Sequence, residues 1–119
     1  MKIAIQMDPI EAVSVHADTT FDLALEAHSR GAEIWIYQPQ ALSLRDGRVS
    51  ARARKVTMLK REQGSHVALD AAELIDLHTM HIVLVRQDPP FNLSYITAAQ
   101  ILERLQPDVI VVNDPRAIR

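Results

Sequence analysis

The chain has 119 residues, of which 48% are apolar and 24% charged, with a formal net charge of −2. That length suits one domain able to bury roughly two-thirds of its unfolded surface, and the charge balance gives no global reason to expect nucleic acid or a membrane as partner. There is no cysteine, which excludes thiol catalysis, disulfides and cysteine-ligated zinc and suits a reducing cytosol.

Met1-Lys2 runs straight into residues 3–7 (IAIQM), a short strand stopped by Asp8-Pro9. Neither a leader nor a membrane-spanning segment is expected, and the chain is read as cytoplasmic. Residues 10–17 read as loop. Asp18 and Thr19 are both N-cap candidates, and Asp22 follows Thr19 at capping-box spacing. Phe21, Ala24, Leu25 and His28 then recur on one helical face, with Gly31 placed to end the helix. Residues 33–38 (EIWIYQ) are β-branched and aromatic until Pro39 stops them. Strand, helix and strand make a βαβ unit, so the two strands should be parallel.

Leu42 and Leu44 alternate with polar residues up to Asp46-Gly47, a strong hairpin signal. Val49, Ala51 and Ala53 alternate with Ser50, Arg52 and Arg54, and the second arm is expected to reach Leu59. Residues 60–66 read as polar loop, and 71–77 as a short helix. Residues 81–85 are read as an apolar strand of the kind buried on both faces. After a Pro-Pro turn, Asn92 or Ser94 can cap a helix whose core stripe is Ala98, Ile101, Leu102 and Leu105. Pro107 ends it, and 109–112 is read as another buried strand. Asn113-Asp114-Pro115 resembles a helix start. The remaining residues are too few to complete it, so the chain is expected to be a piece of something longer.

Three strands that would be parallel end alike, at Met7-Asp8-Pro9, Gln87-Asp88-Pro89-Pro90 and Asn113-Asp114-Pro115. In an open parallel sheet these ends share the edge at which such folds bind ligands. Proline forces the residue before it into an extended conformation, which would hold each Asp at that edge with Arg86 beside it. Two alternatives stand beside this reading: Asp-Pro as turn chemistry alone, and Arg86 in an internal salt bridge to Asp88 or Asp8.

The runs "MDPI", "DTTFDLALEAHSRG", "VLVRQDPPFNLSYITAAQILER" and "VIVVNDPRAIR" together resemble the amino-terminal domain of prokaryotic glutathione synthetase. The similarity covers the whole chain, and Arg86 to Phe91 is its most specific element. The sequence departs from that family's pattern at Gln87 and Asp114, where the family carries lysine, and at His16 and Ala17, where basic residues are common. The resemblance implies an α/β, three-layer Rossmann-like (pre-ATP-grasp) domain, with a four-strand parallel core and a β-hairpin extension, spanning residues 1–119. It implies a bacterial ATP-dependent ligase that joins γ-glutamylcysteine to glycine, with ATP and magnesium held by ATP-grasp domains beyond this chain and no cofactor within it. The chain alone would be inactive and would contribute a substrate-cleft wall and homo-oligomer contacts. Substrate-binding candidates are Asp8, Asp18, Arg86, Asp88 and Asn113, with Pro9, Pro89 and Pro90 as structural turns. Arg86 would clamp a substrate carboxylate, and Asp8 or Asp88 would meet the α-ammonium of a γ-glutamyl group.

Other motifs carry less. With three glycines and no phosphate loop, a free-standing nucleotide site is not expected. His78-x-x-His81 lacks a third ligand, so no metal is expected there. His28 reads as a hydrogen-bonded core residue. Residues 45–61 hold seven basic residues and one acid but no aromatics for base stacking, so a solvated face or subunit contact is expected rather than nucleic acid. Two rival functions use the same features: a stand-alone small-ligand module at the sheet edge, and an interaction module acting through the basic hairpin.

Overall fold

The computed structural model describes residues 1–86 and 93–113, with the side chains of 93–95 and 113 outside that description. The elements are β1 (Lys2–Met7), α1 (Thr19–Ser29), β2 (Glu33–Tyr37), β3 (Leu42–Arg45), β4 (Arg48–Leu59), β5 (Val67–Leu69), β6 (Glu73–Asp76), β7 (Ile82–Arg86), α2 (Leu93–Leu102) and β8 (Ile110–Asn113). Short 3-10 turns lie at Ile10–Ala12, Pro39–Ala41, Leu77–Thr79 and Glu103–Leu105.

The expected four-strand parallel core is present, in the order β2-β1-β7-β8. Its side chains divide by the alternation of the strands. Ala4, Trp35, Tyr37, Val83 and Val85 pack on one face against Leu102 and Leu105 at the end of α2. Ile3, Ile5, Met7, Ile34 and Ile36 pack on the other against Phe21 and Ala24 of α1. One helix on each face gives the three layers of an α/β domain.

Asp46 (φ 55°) and Gly47 (φ 76°) both adopt the left-handed region, as a type I′ hairpin turn requires. β4 is the spine of the extension. Ser50 and Ala51 pair with β3 on one edge and with β6 on the other. Further along, Lys55 pairs with Trp35 of β2 and accepts a hydrogen bond from Asp70 N. So β2 and β3 follow one edge of β4 while β6 and β5 follow the other. A register shift between Val56 and Met58 turns Leu59 into the α1-side core with Val56, whereas Val49, Ala51 and Ala53 face the α2 side.

Four expectations need correction. Residues 71–77 form no helix, because 73–76 pair with β4 as β6; an open backbone edge outweighs the helix propensity of Ala-Ala-Glu-Leu. β7 is not buried on both faces: Val83 and Val85 are, but Ile82 and Leu84 are only half-buried. β8 is not a buried strand, since Ile110 is 61% and Val112 43% exposed; it is the outer strand, and no described element covers its α1-side face. His28 is not a hydrogen-bonded core residue: it is half-buried, and its side chain makes no hydrogen bond to a described residue. Of the two cap candidates for α1, Asp18 is the cap, its Oδ1 accepting from Phe21 N at 2.7 Å.

Candidate functional site

The parallel register places Met7 directly beside Arg86, so the carboxyl ends of β1 and β7 open onto the same place. From Met7 the chain leaves through Asp8-Pro9 and the 3-10 turn, bends at residues 13–17, and enters α1. Between this loop and Arg86 lies a cavity of about 470 Å3. Its lining includes Asp8, Asp18, Thr19, Thr20, Arg86 and the wall at Val13 and Ser14.

Arg86 is half-buried and held by neutral groups. Its Nη2 donates to Thr19 Oγ1 at 3.0 Å and its Nε to Thr20 Oγ1 at 3.3 Å. Among the described residues no carboxylate pairs with it. It stands at the amino end of α1, an 11-residue helix whose partial positive end also favours an anion. Asp8 is exposed. Asp18 divides its roles between capping α1 and lining the cavity. The cavity therefore presents one fixed cation, a helix N-terminus and two carboxylates, a set that can orient a zwitterion.

Thr19 and Thr20 were not singled out by sequence as partners of Arg86. They are 67 and 66 residues from it, and only the parallel sheet brings them together. Asn113 reaches the same edge through its pairing with Val85. Asp88, Pro89 and Pro90 lie outside the described residues, as do Asp114 and Pro115.

A second cavity of about 490 Å3 lies across the Met7–Pro9 segment, among Ile10, Ile36, Tyr37, Leu69, Arg52 and Arg54. Arg54 is held there, donating from Nε to Asp70 O at 2.7 Å and lying 3.6 Å from Glu11. Of the basic 45–61 stretch, Lys55, Lys60 and Arg61 also have acidic partners, whereas Arg45, Arg48 and Arg52 have none among the described residues. Burial raises the Tyr37 phenol well above its ordinary pKa of 10.0, and its hydroxyl has no hydrogen-bond partner among the described residues. The two histidines of the His78-x-x-His81 spacing are engaged separately. His81 Nδ1 accepts from Lys2 N at 2.9 Å, and His78 Nδ1 lies 3.3 Å from Asp76.

The family model described as prokaryotic glutathione synthetase, N-terminal domain, matches residues 1–119. The chain belongs to this family. It is 50% identical over its whole length to a glutathione synthetase of Mesorhizobium japonicum, 47% to one of Brucella melitensis, and 42% over 98% of its length to one of Agrobacterium fabrum. It spans 38%, 38% and 36% of the length of these three relatives. Its fold is that of a Rossmann-like α/β domain. Among the described residues no helix is long and apolar enough to cross a membrane.

Proposed function

We propose that this chain is the substrate-side wall of a bacterial, cytoplasmic, ATP-dependent carboxylate–amine ligase that joins γ-glutamylcysteine to glycine. The carrying observation is the Arg86 guanidinium, held by Thr19 and Thr20 over the 470 Å3 cavity with no acid among the described residues paired with it. The threonines occupy Nε and one proton of Nη2, which fixes the plane of the guanidinium. No described residue takes Nη1, so the Nη1–Nη2 edge is available for a carboxylate, whose geometry matches that fork. Asp8 supplies the opposite charge for an α-ammonium, with Asp88 in the same role from the neighbouring turn. A γ-glutamyl group carries both charges on one carbon.

In the proposed reaction ATP transfers its γ-phosphoryl group to the cysteinyl carboxylate of γ-glutamylcysteine, giving an acyl phosphate and ADP. The glycine amine then attacks the acyl carbon, an amide bond forms, and inorganic phosphate leaves. ATP and magnesium belong to the parts of the relatives that this chain does not span. The contribution of the present residues is orientation, holding the γ-glutamyl end so that the cysteinyl carboxylate projects out of the cavity. Self-association accompanies this role, because the outer edges of β3, β5 and β6 carry backbone groups with no strand partner among the described residues.

The test is a chimera in which this chain replaces the corresponding part of the Mesorhizobium japonicum enzyme. It should form glutathione from γ-glutamylcysteine, glycine and ATP. The chain alone should form none and should not bind ATP with sub-micromolar affinity by calorimetry. Micromolar binding of γ-glutamylcysteine by the isolated chain together with an inactive chimera would favour the stand-alone binding module instead.

A further inference from the structure

The cavity wall at Val13 and Ser14 belongs to no helix or strand. Its own turn bonds, from Val13 N to Ile10 O and from Ala17 N and Asp18 N to Ser14 O, curl the segment without tying it to the sheet. Val15 is buried in the α1-side core, and the hydrogen-bonded ties come from the connection between β4 and β5. Gln63 Oε1 accepts from Val15 N at 3.0 Å, and Gln63 Nε2 donates to Val13 O at 3.0 Å. One planar amide thus satisfies a donor and an acceptor on either side of Ser14, as a neighbouring strand would.

Two further side chains support it. Arg61 Nη1 donates to Val15 O, and its Nη2 donates to Asp22 Oδ1 of α1 at 2.7 Å. The guanidinium lies 5.6 Å from the centre of the Phe21 ring. His66 is buried edge-on to the same ring, with Nε2 2.8 Å from Ile10 O. None of Arg61, Gln63 and His66 lines the cavity.

We propose that Gln63 is a positioning residue for the Arg86 cavity. With Arg61 and His66 behind it, Gln63 sets the distance between the Ser14 wall and Arg86, and so the affinity for the anionic dipeptide, without touching it. The inference rests on the reading that this cavity holds γ-glutamylcysteine. Gln63 is exposed, so its loss removes little buried apolar area and costs folding little. The wall it holds is a different matter. Freed of both bonds, Val13 and Ser14 would sample more conformations while Val15 stays in the core, and the entropy of ordering them would fall on the binding step.

The experiment compares native enzyme, Gln63→Met and Arg86→Ala in the full-length ligase, with amide hydrogen exchange of the first two measured on this chain. Met keeps the length and volume of Gln but not the amide. Gln63→Met should raise KM for γ-glutamylcysteine about three- to tenfold, the loss expected for one or two neutral hydrogen bonds. The KM for ATP and kcat should hold, and the Val15 amide should exchange about tenfold faster or more while β1 and β2 are unchanged. A merely structural role would lower Tm and speed the Val15 amide without moving the split between substrates. If Arg86→Ala raises the dipeptide KM and Gln63→Met leaves that KM unmoved, whatever the Val15 amide does, the positioning role is wrong. If Arg86→Ala itself leaves the dipeptide KM unchanged, the cavity is not the dipeptide site and the proposal falls with that reading.

Discussion

Arg86 Nη2 donates to Thr19 Oγ1 at 3.0 Å, which ties the last residue of β7 to the first residue of α1. The bond fixes a guanidinium at a helix N-terminus using a neutral partner, so orientation is gained without neutralising the charge. An Arg–Asp pair would have fixed it equally well and left nothing for a ligand. The internal salt bridge considered from sequence is not formed with Asp8, and Asp88 lies outside the described residues.

The first prediction follows from that arrangement. Arg86→Ala in the full-length ligase should lower kcat/KM for γ-glutamylcysteine about ten- to more than a hundredfold, because a charge-assisted hydrogen bond is worth about 1.5–3 kcal/mol. The KM for ATP should stay near its native value. Thr19→Val should have a smaller effect in the same direction, since it loosens the guanidinium without removing it. A thermal melt completes the measurement. Stability lower by several kcal/mol with intact dipeptide kinetics would make Arg86 a structural residue.

Asp18 can be separated into cap and ligand. Its carboxylate accepts from Phe21 N at 2.7 Å, so Asp18→Ala should cost about 0.5–2 kcal/mol of stability. Asp18→Asn keeps an acceptor oxygen and should restore most of that loss. If the Asn variant is stable but binds γ-glutamylcysteine poorly, the charge serves the substrate as well. Urea midpoints at constant m, read beside dipeptide titrations, distinguish the two.

Glu33 sets a pH dependence. Its pKa is held below the ordinary 4.5, first by the Trp35 indole N–H donating to Oε2 at 2.8 Å and then by the charges of Lys55 and Lys2, against a partial opposing effect of burial. A depressed folded pKa stabilises the fold above the unfolded value, and the contribution fades as pH falls through the folded value. Glu33→Gln should therefore be less stable than the native chain at pH 7, by at most about 1 kcal/mol because the pair is partly solvated. The difference should shrink as pH falls below 4.5 and through the folded value. A gap that does not change with falling pH would show that the charge of Glu33 contributes nothing.

Tyr37 gives a prediction of opposite sign. Its hydroxyl is buried and has no hydrogen-bond partner among the described residues, and leaving such a group unsatisfied costs about 1–3 kcal/mol. Tyr37→Phe should be neutral or should raise Tm, since only the oxygen is removed from a packed ring. A loss of more than about 1 kcal/mol would mean that the hydroxyl is bonded in solution.

The sequence by itself determined most of what depends on neighbours along the chain. The β1–α1–β2 unit, the Asp46-Gly47 turn, the reach of β4 to Leu59 and the stripe of Ala98, Leu102 and Leu105 follow from side-chain period and turn chemistry, which act over a few residues. Arg86 and the Asp8 turn were legible as candidates because prolines mark strand ends. The tertiary structure alone decided what depends on pairing. Residues 73–76 became strand because β4 offered an open edge. Ile110 and Val112 stayed exposed because β8 is the outer strand. Neither the threonines that orient Arg86 nor the Gln63 amide that brackets Ser14 carries a local signal. Each is an ordinary polar residue until the sheet brings it to a partner 48 to 67 positions away.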